Sequence, residues 1–487
     1  MTTYAARNPR TGVADFEFEL ATQRDVAKLA DQARDAQNAW VNRSLKERCA
    51  ILNTLAEEVS ARREAIIAAL SRDTGRLYLS EREVDGAASN MRRWAKLALE
   101  VLPENMKTPD TQSKLVDSVR YENQYVPYHV AGFISPWNFP VTLSLIDAVP
   151  ALAAGCAVII KPSEVTSRFV APLVEAVDAV PELKHVLQFV LGDGDTGAAL
   201  INSVDLICFT GSVKTGRIVA ETAARNFIPA FLELGGKDPV IITKTADIER
   251  AADAVLRGSI MNSGQVCLSI ERVYVDRAIE AQFLNTLTQK AQAIALNTPD
   301  ITQGHIGPLI FDKQAGIIES HIDDAKRKGA KIHCGGTIER HEGGHWLRPT
   351  VLSNVTHDMA IMTQESFGPL LPVMTFESVE QAIELANDTS YGLSASVIAG
   401  TLDEAKAIAQ HIDAGGLSLM DCGLTYMTYE PEKTSFGLSG LGGSRMGPAS
   451  IQRFLRKKAL ISNLGVPQSM DAFGEAAASV QLAETAA

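Results

Sequence analysis

Cys267 sits between a glycine-containing turn, Asn262-Ser263-Gly264-Gln265, and a run with strand character, Arg272 to Val275. Val266 and Leu268 flank the thiol with apolar surface. A turn can aim a side chain into a cleft, whereas a strand interior would bury it. A thiolate is a strong nucleophile. Free cysteines are also among the most buried residues, so this stretch alone leaves a core thiol and a reactive thiol both open. Asn138 lies between Trp137 and Phe139, in a turn stiffened by Pro136 and Pro140. A fixed amide there can donate to a developing oxyanion. Glu233 ends an apolar run just before Gly235-Gly236. A partly desolvated carboxylate at that point would have a raised pKa and could act as a general base. Thiol, amide donor and carboxylate together permit covalent catalysis. None of the nine histidines lies beside Cys267 in sequence.

These residues need elements to position them. From 129 to 243 short apolar runs alternate with helical ones, which predicts a parallel, doubly wound sheet. Ligands on such sheets bind at the carboxyl ends of the strands. The residues there are Ile134-Ser135-Pro136-Trp137, Lys161-Pro162-Ser163-Glu164, Gly192-Asp193-Gly194, Phe209-Thr210-Gly211-Ser212 and Glu233-Leu234-Gly235. Gly211-Ser212 opens an expected helix whose N-terminal amides attract a pyrophosphate. The GxGxxG fingerprint is absent, and a Gly-Ser helix cap is common. Lys161 and Glu164 can hold ribose hydroxyls or form a plain surface ion pair. A second alternating region, about 247 to 430, contains Cys267 and Glu365-Ser366-Phe367-Gly368-Pro369. Residues 24–100 read as helical, with their charges on a solvated face, and 141–153 as one helix. Ser118 to Val126 and Ile451 to Ile461 lean towards strand, the first as an exposed hairpin arm.

The chain has 487 residues, of which 46% are hydrophobic and 21% charged, so a large core is expected. Its net charge of −12, without a basic block, disfavours nucleic acid as a partner. The six cysteines include no CxxC pair, so neither a metal site nor a disulfide framework is expected. A reducing, cytoplasmic compartment fits, with no export signal visible at Met1 to Arg10. The apolar run Val149 to Ile160 is too short to span a bilayer, and no membrane partner is expected.

Pro136-Trp137-Asn138-Phe139-Pro140, Phe209-Thr210-Gly211-Ser212, Glu233-Leu234-Gly235-Gly236-Lys237, Gly264-Gln265-Val266-Cys267 and Glu365-Ser366-Phe367-Gly368-Pro369 occur here in one order. The set resembles the NAD(P)-dependent aldehyde dehydrogenase superfamily over nearly the whole chain. The resemblance implies an α/β fold with two doubly wound parallel-sheet domains and a small β oligomerisation arm. It places a cofactor domain at 1–108 and 128–235, a catalytic domain at 236–435, the arm at 109–127 and 448–466, and a tail at 467–487. It implies Cys267 as nucleophile, Glu233 as base and Asn138 as oxyanion donor. Lys161 and Glu164 would hold the adenosine ribose, with Ser163 nearby. Gly194 and Ser212 would lie at the adenosine and pyrophosphate. Glu365 would hold the nicotinamide ribose, with Phe367 near the nicotinamide. Ile134, Ser135, Pro136, Trp137, Phe209, Gly211, Leu234 and Gly235 complete the expected cofactor surface. NAD is the expected cofactor, with NADP second, because Glu164 would repel a 2′-phosphate. A homodimer or homotetramer is implied.

The same alignment puts Phe139, Thr142, Leu143, Ile146, Met261, Val266 and Leu268 in the walls of an aldehyde tunnel, with Tyr426 and Phe436 at its mouth. No Arg or Lys is among them, so an apolar or aromatic aldehyde is the expected substrate. A semialdehyde dehydrogenase and a non-catalytic protein reusing the fold are the competing readings. Two departures from the common pattern stand out. Asp147 occupies a position where lysine is common, and Ser439 to Gly447 differs from the usual Ser-Gly-x-Gly-Arg-Glu.

Overall fold

Two wound sheets organise the protein in a computed structural model that describes residues 2–474. The tail expected at 467–487 lies outside the described residues from 475 onwards. The first sheet has six strands, in the order Gly440–Leu441, Ala230–Glu233, Leu206–Thr210, Val130–Ile134, Ala157–Lys161, Leu187–Phe189. All pair in parallel except Gly440–Leu441, which runs antiparallel along Ala230–Glu233. Every residue of Ala157–Lys161 and Leu206–Thr210 is buried, as a parallel sheet covered on both faces requires. Ile134 stands opposite both Lys161 and Phe209, and Thr210 opposite Glu233. This register brings the expected ligand-binding strand ends to one edge.

The second sheet has seven strands, ordered Lys331–Cys334, Thr350–Ser353, Leu370–Phe376, Ile270–Asp276, Asp238–Ile242, Ser394–Ile398, Gly416–Leu419. Only the Lys331–Cys334 edge is antiparallel. A third sheet pairs Leu455–Asn463 with Val119–Pro127 along their length and adds Thr111–Gln112. The expected hairpin arm is therefore completed from the far end of the chain.

Residues 24–100 resolve into four helices: Gln23–Val41, Leu45–Ala61, Arg63–Thr74 and Tyr78–Val101. Thr22 with Asp25 and Ser44 with Glu47 form capping boxes that start the first two. Gly75, with φ of 68°, ends the third. Their charges do not all face solvent, contrary to expectation: Arg48, Asp73, Arg76 and Glu83 are buried. Arg48 spends its donors on carbonyls, at 3.1 Å from Ala153 and 2.6 Å from Arg43. Arg76 pairs with Glu83 at 2.7 Å. The single helix expected at 141–153 is two, Pro140–Leu145 and Ala148–Ala154. Pro150 has no N–H for the Ile146 carbonyl, so the helical ladder breaks there. An N-terminal hairpin, Thr3–Arg7 with Ala14–Glu19, was not foreseen in the sequence.

Candidate active site

Helix Ile248–Ile260 stops short of Cys267, and the chain turns through Asn262, Ser263 and Gly264 at φ of 53°, 57° and 73°. A non-glycine residue in the left-handed region costs about 1–3 kcal/mol and persists where neighbours over-determine it. Here they do. The Ser263 hydroxyl donates to the Gly307 carbonyl at 2.7 Å. Asn262 Nδ2 donates to the carbonyls of Asn138 at 3.1 Å and Gln265 at 3.2 Å. Gln265 Nε2 donates to the Asn262 carbonyl at 2.9 Å, and its Oε1 accepts from Ile310 N at 2.8 Å. A Cβ on Gly264 would lie 2.2 Å from the Gly368 carbonyl, so glycine is required. The loop thus presents Cys267 partly exposed, between buried Val266 and partly exposed Leu268.

Asn138 belongs to the same lattice. Its Nδ2 donates to the Gln265 carbonyl at 3.0 Å, two residues from the thiol. An amide carries two hydrogens, so one remains for a further acceptor. The Asn138 carbonyl accepts from Arg76 at 2.8 Å. Glu83 holds Arg76 and also accepts from Thr142 N at 3.1 Å. The Arg76 guanidinium lies 4.6 Å from the centre of the Phe139 ring. These two buried charges, which sequence reasoning assigned to solvent, fix the turn that carries the amide.

Glu233 is half-buried at the end of its strand and accepts from the Ser435 hydroxyl at 3.1 Å. Its carbonyl accepts from Gly211 N at 3.1 Å. Burial pushes the Cys267 thiol up to about 12; Arg445 pulls it down, while Glu233, Asp238 and Glu365 push it further up. Loss of the thiol proton therefore needs a proton acceptor and a compensating charge.

Beside the thiol lies the edge expected to take a nucleotide. Lys161 is buried, and its ammonium donates to the carbonyls of Gly192 at 2.6 Å and Pro162 at 2.9 Å, with Glu164 at 3.5 Å. Ser212 caps helix Val213–Arg225, accepting from Thr215 N. A Cβ on Gly211 would come within 2.5 Å of the Phe209 ring, and one on Gly216 within 2.5 Å of Leu234. Gly194 opens helix Gly194–Ile201 with nothing within 4 Å of a Cβ, leaving room for a ligand. The Ser135 hydroxyl turns away, to Ser144 at 2.7 Å. Glu365 sits over the Gly235-Gly236 turn, accepting from Gly236 N at 3.2 Å. Burial, then Glu271, raises its pKa to about 8. Phe367 packs edge-on against Trp137, ring centres 5.4 Å apart. Glu271 was not among the expected site residues. It is buried, bonded to Lys237 at 2.5 Å, and accepts from the amides of Ser366 at 2.8 Å and Phe367 at 2.7 Å. It therefore anchors the loop that carries Glu365.

The expected tunnel residues are only partly gathered. Thr142 and Ile146 line a recess whose other wall is helix Tyr78–Val101, through Asn90, Met91 and Trp94. That helix gave no functional signal beyond core periodicity. Phe436 is exposed, paired with Tyr391–Gly392, and does not line this recess. The Tyr426 hydroxyl accepts from Arg257 at 2.7 Å. Arg93 lies 4.3 Å from the centre of the Tyr429 ring. Two cations, Arg257 from helix Ile248–Ile260 and Arg93 from helix Tyr78–Val101, thus pack against the loop expected at the mouth.

The aldehyde dehydrogenase family model matches residues 1–460. A Mycolicibacterium smegmatis protein named "Putative succinate-semialdehyde dehydrogenase (NADP(+))" is 36% identical over 84% of this chain and 79% of its own length. The structure of "Putative Aldehyde Dehydrogenase PutA" from Anabaena variabilis superposes with a TM-score of 0.94 at 49% identity, covering 96% of this chain and 99% of that one. Betaine aldehyde dehydrogenase from Staphylococcus aureus, in complex with NAD+, gives 0.90 at 29% identity over 97% of this chain and 94% of that one. With the match running through the thiol loop, the strand-end edge and the arm alike, this chain belongs to the aldehyde dehydrogenase family.

Proposed function

We propose that the protein oxidises an aldehyde to its carboxylic acid through Cys267. The observation that carries this reading is the Asn138 amide, bonded at 3.0 Å to the loop that presents the thiol. The Cys267 thiolate attacks the aldehyde carbon. Asn138 stabilises the oxyanion with its remaining hydrogen. Glu233 then takes a proton from the water that hydrolyses the thioester. The glycines at 211 and 235, where a Cβ would strike Phe209 or Glu365, suit a nicotinamide dinucleotide. That group supplies the hydride acceptor when bound. Lys161, Glu164, Ser212 and Glu365 would hold it. Glu164 favours NAD over NADP.

Cys267→Ala abolishes NADH formation and any esterase activity together. Glu233→Gln keeps acylation and shows a stoichiometric NADH burst before a slow steady state. Full steady turnover in either variant overturns the assignment. The apolar wall of Met91, Trp94 and Ile146 favours an uncharged apolar or aromatic aldehyde. Arg93 and Arg257, together with the name of the mycolicibacterial relative, favour a semialdehyde as second reading. Comparing kcat/KM for benzaldehyde, hexanal and succinate semialdehyde decides between them. The strand Leu455–Asn463, with Ile461 exposed beside Leu464, supports a homodimer or homotetramer. A monomer by light scattering contradicts that assembly. No helix among the described residues is long and apolar enough to cross a membrane.

A further inference from the structure

Asp147, Arg445 and Arg453 form a buried cluster that the chemistry above leaves unused. Arg445 Nη2 donates to Asp147 Oδ2 at 2.5 Å and to the Thr210 hydroxyl at 2.8 Å, and its Nε to Asp147 Oδ1 at 3.3 Å. Arg453 donates to that same Oδ1. Its guanidinium lies 5.1 Å from the Phe231 ring centre and 5.0 Å from that of Phe454. One carboxylate faces two guanidiniums, so one positive charge is left over. A buried charge without a counter-ion is expensive. The cluster therefore favours an anion within reach.

The fold sets that surplus beside the reacting groups. Thr210, which Arg445 grips, stands directly opposite Glu233 in the parallel register. The segment that carries Arg445 first passes Glu233 itself. Ser435 donates to its carboxylate, the Ser439 carbonyl accepts from Leu234 N at 2.9 Å, and Gly440 pairs with Glu233. Among the charged groups acting most strongly on the thiol, Glu233, Asp238 and Glu365 oppose its ionisation and Arg445 favours it. Cys267 and Glu233 in turn act on Arg445. The two sequence departures, Asp147 and the segment containing Arg445, thus meet in one ion cluster.

We propose that Arg445 is a positioning residue: held by Asp147, Arg453 and Thr210, it sets the cluster's surplus positive charge against Cys267 and Glu233 and favours the thiolate. The inference rests on Cys267 being the nucleophile. The surplus does not survive every change of partner. Arg445→Gln leaves Asp147 balanced by Arg453 and removes it. Asp147→Asn leaves both guanidiniums and enlarges it. The two substitutions therefore act on the thiol in opposite directions, which simple damage to packing would not do.

The test is the rate of Cys267 alkylation by iodoacetamide in the full-length protein, followed across the pH range where thiols titrate, with the modified residue located by mass spectrometry. Arg445→Gln slows alkylation by about tenfold at a fixed pH below the midpoint and moves the midpoint up by about one unit. Asp147→Asn moves it down. Arg445→Lys, which keeps the charge, recovers most of the wild-type rate. A midpoint unmoved by Arg445→Gln, or one raised by Asp147→Asn, overturns the proposal. If Arg445→Gln does not fold, Asp147→Asn decides alone: a lowered midpoint supports the proposal, and an unchanged or raised one overturns it. Cys267→Ala separates the two levels of inference. Activity surviving that change removes the nucleophile and this proposal together, whereas activity lost with unmoved midpoints removes only the role of Arg445.

Discussion

The bed beneath Cys267 and the loop around Tyr426 are built differently. In the bed, Asn138, Asn262 and Gln265 are buried, and their amides bond to one another's carbonyls. The Arg76–Glu83 pair locks the whole from below. In the loop, Met427 and Phe436 are exposed, Tyr426 is held at its hydroxyl by Arg257, and the Arg93 guanidinium lies over the Tyr429 ring. Buried polar lattices are rigid because each broken bond leaves an unsatisfied group. Exposed loops lose little when one contact goes. On the proposed reading, the chemistry falls to the part that tolerates least change, and substrate choice to the part that tolerates most.

Breaking the bed gives the largest effect. Glu83→Ala removes the counter-charge of Arg76 and the acceptor for Thr142 N. Loss of one partner of a buried pair costs about 3–5 kcal/mol. Denaturant unfolding reads this directly. The kcat falls by at least about tenfold as the Asn138 turn loosens, with less change in KM. A stability loss below about 1 kcal/mol would place this pair with ordinary surface ion pairs and erase the contrast with the loop.

That bed also marks the boundary of what the sequence discloses. Cys267, Asn138, Glu233 and Gly211 each stand at a local irregularity, a glycine turn or a proline pair, whose physics is confined to a few residues. Such positions are readable in one dimension. Arg76 lies in the short link before helix Tyr78–Val101 and Glu83 on that helix, in a region of amphipathic pattern where a charge reads as solvated. Their burial depends on Thr142 and Asn138, 59 and 62 residues away. Glu271 is hidden for the same reason, since the amides it binds are 95 and 96 residues further on. The alternation of strands and helices was legible. The break between Pro140–Leu145 and Ala148–Ala154 was missed: Pro150 marks it, but the wider apolar run masked that signal.

The strand-end edge is intermediate between bed and loop. Lys161 is buried among carbonyls, while the carboxylate of Glu164 remains 31% exposed. A charge in that setting repels a 2′-phosphate through partly screened solvent. The expected outcome is a kcat/KM for NAD about tenfold or more above that for NADP. Glu164→Gln narrows the ratio, mainly through the KM for NADP. Higher salt narrows it as well, because part of the repulsion crosses water. A wild-type preference for NADP contradicts the assignment of Glu164.

The smallest effect belongs to the loop. Tyr426→Phe deletes one hydroxyl that accepts from Arg257 at 2.7 Å. Arg257 keeps Asp421 at 2.5 Å and the Cys422 carbonyl at 3.0 Å, so its charge stays compensated. The phenyl ring keeps the packing of the tyrosine. Stability therefore changes by no more than about 0.5 kcal/mol, within the usual range for a surface substitution. Activity responds through binding. If the semialdehyde carboxylate uses Arg257, freeing that guanidinium from the hydroxyl lowers the KM for succinate semialdehyde by about threefold, with the KM for hexanal unchanged. If an apolar aldehyde is the substrate, both values stay where they were. A fall in kcat for every aldehyde fits neither outcome: the loop would then be coupled to the bed, and the division between rigid chemistry and adaptable substrate choice would fail.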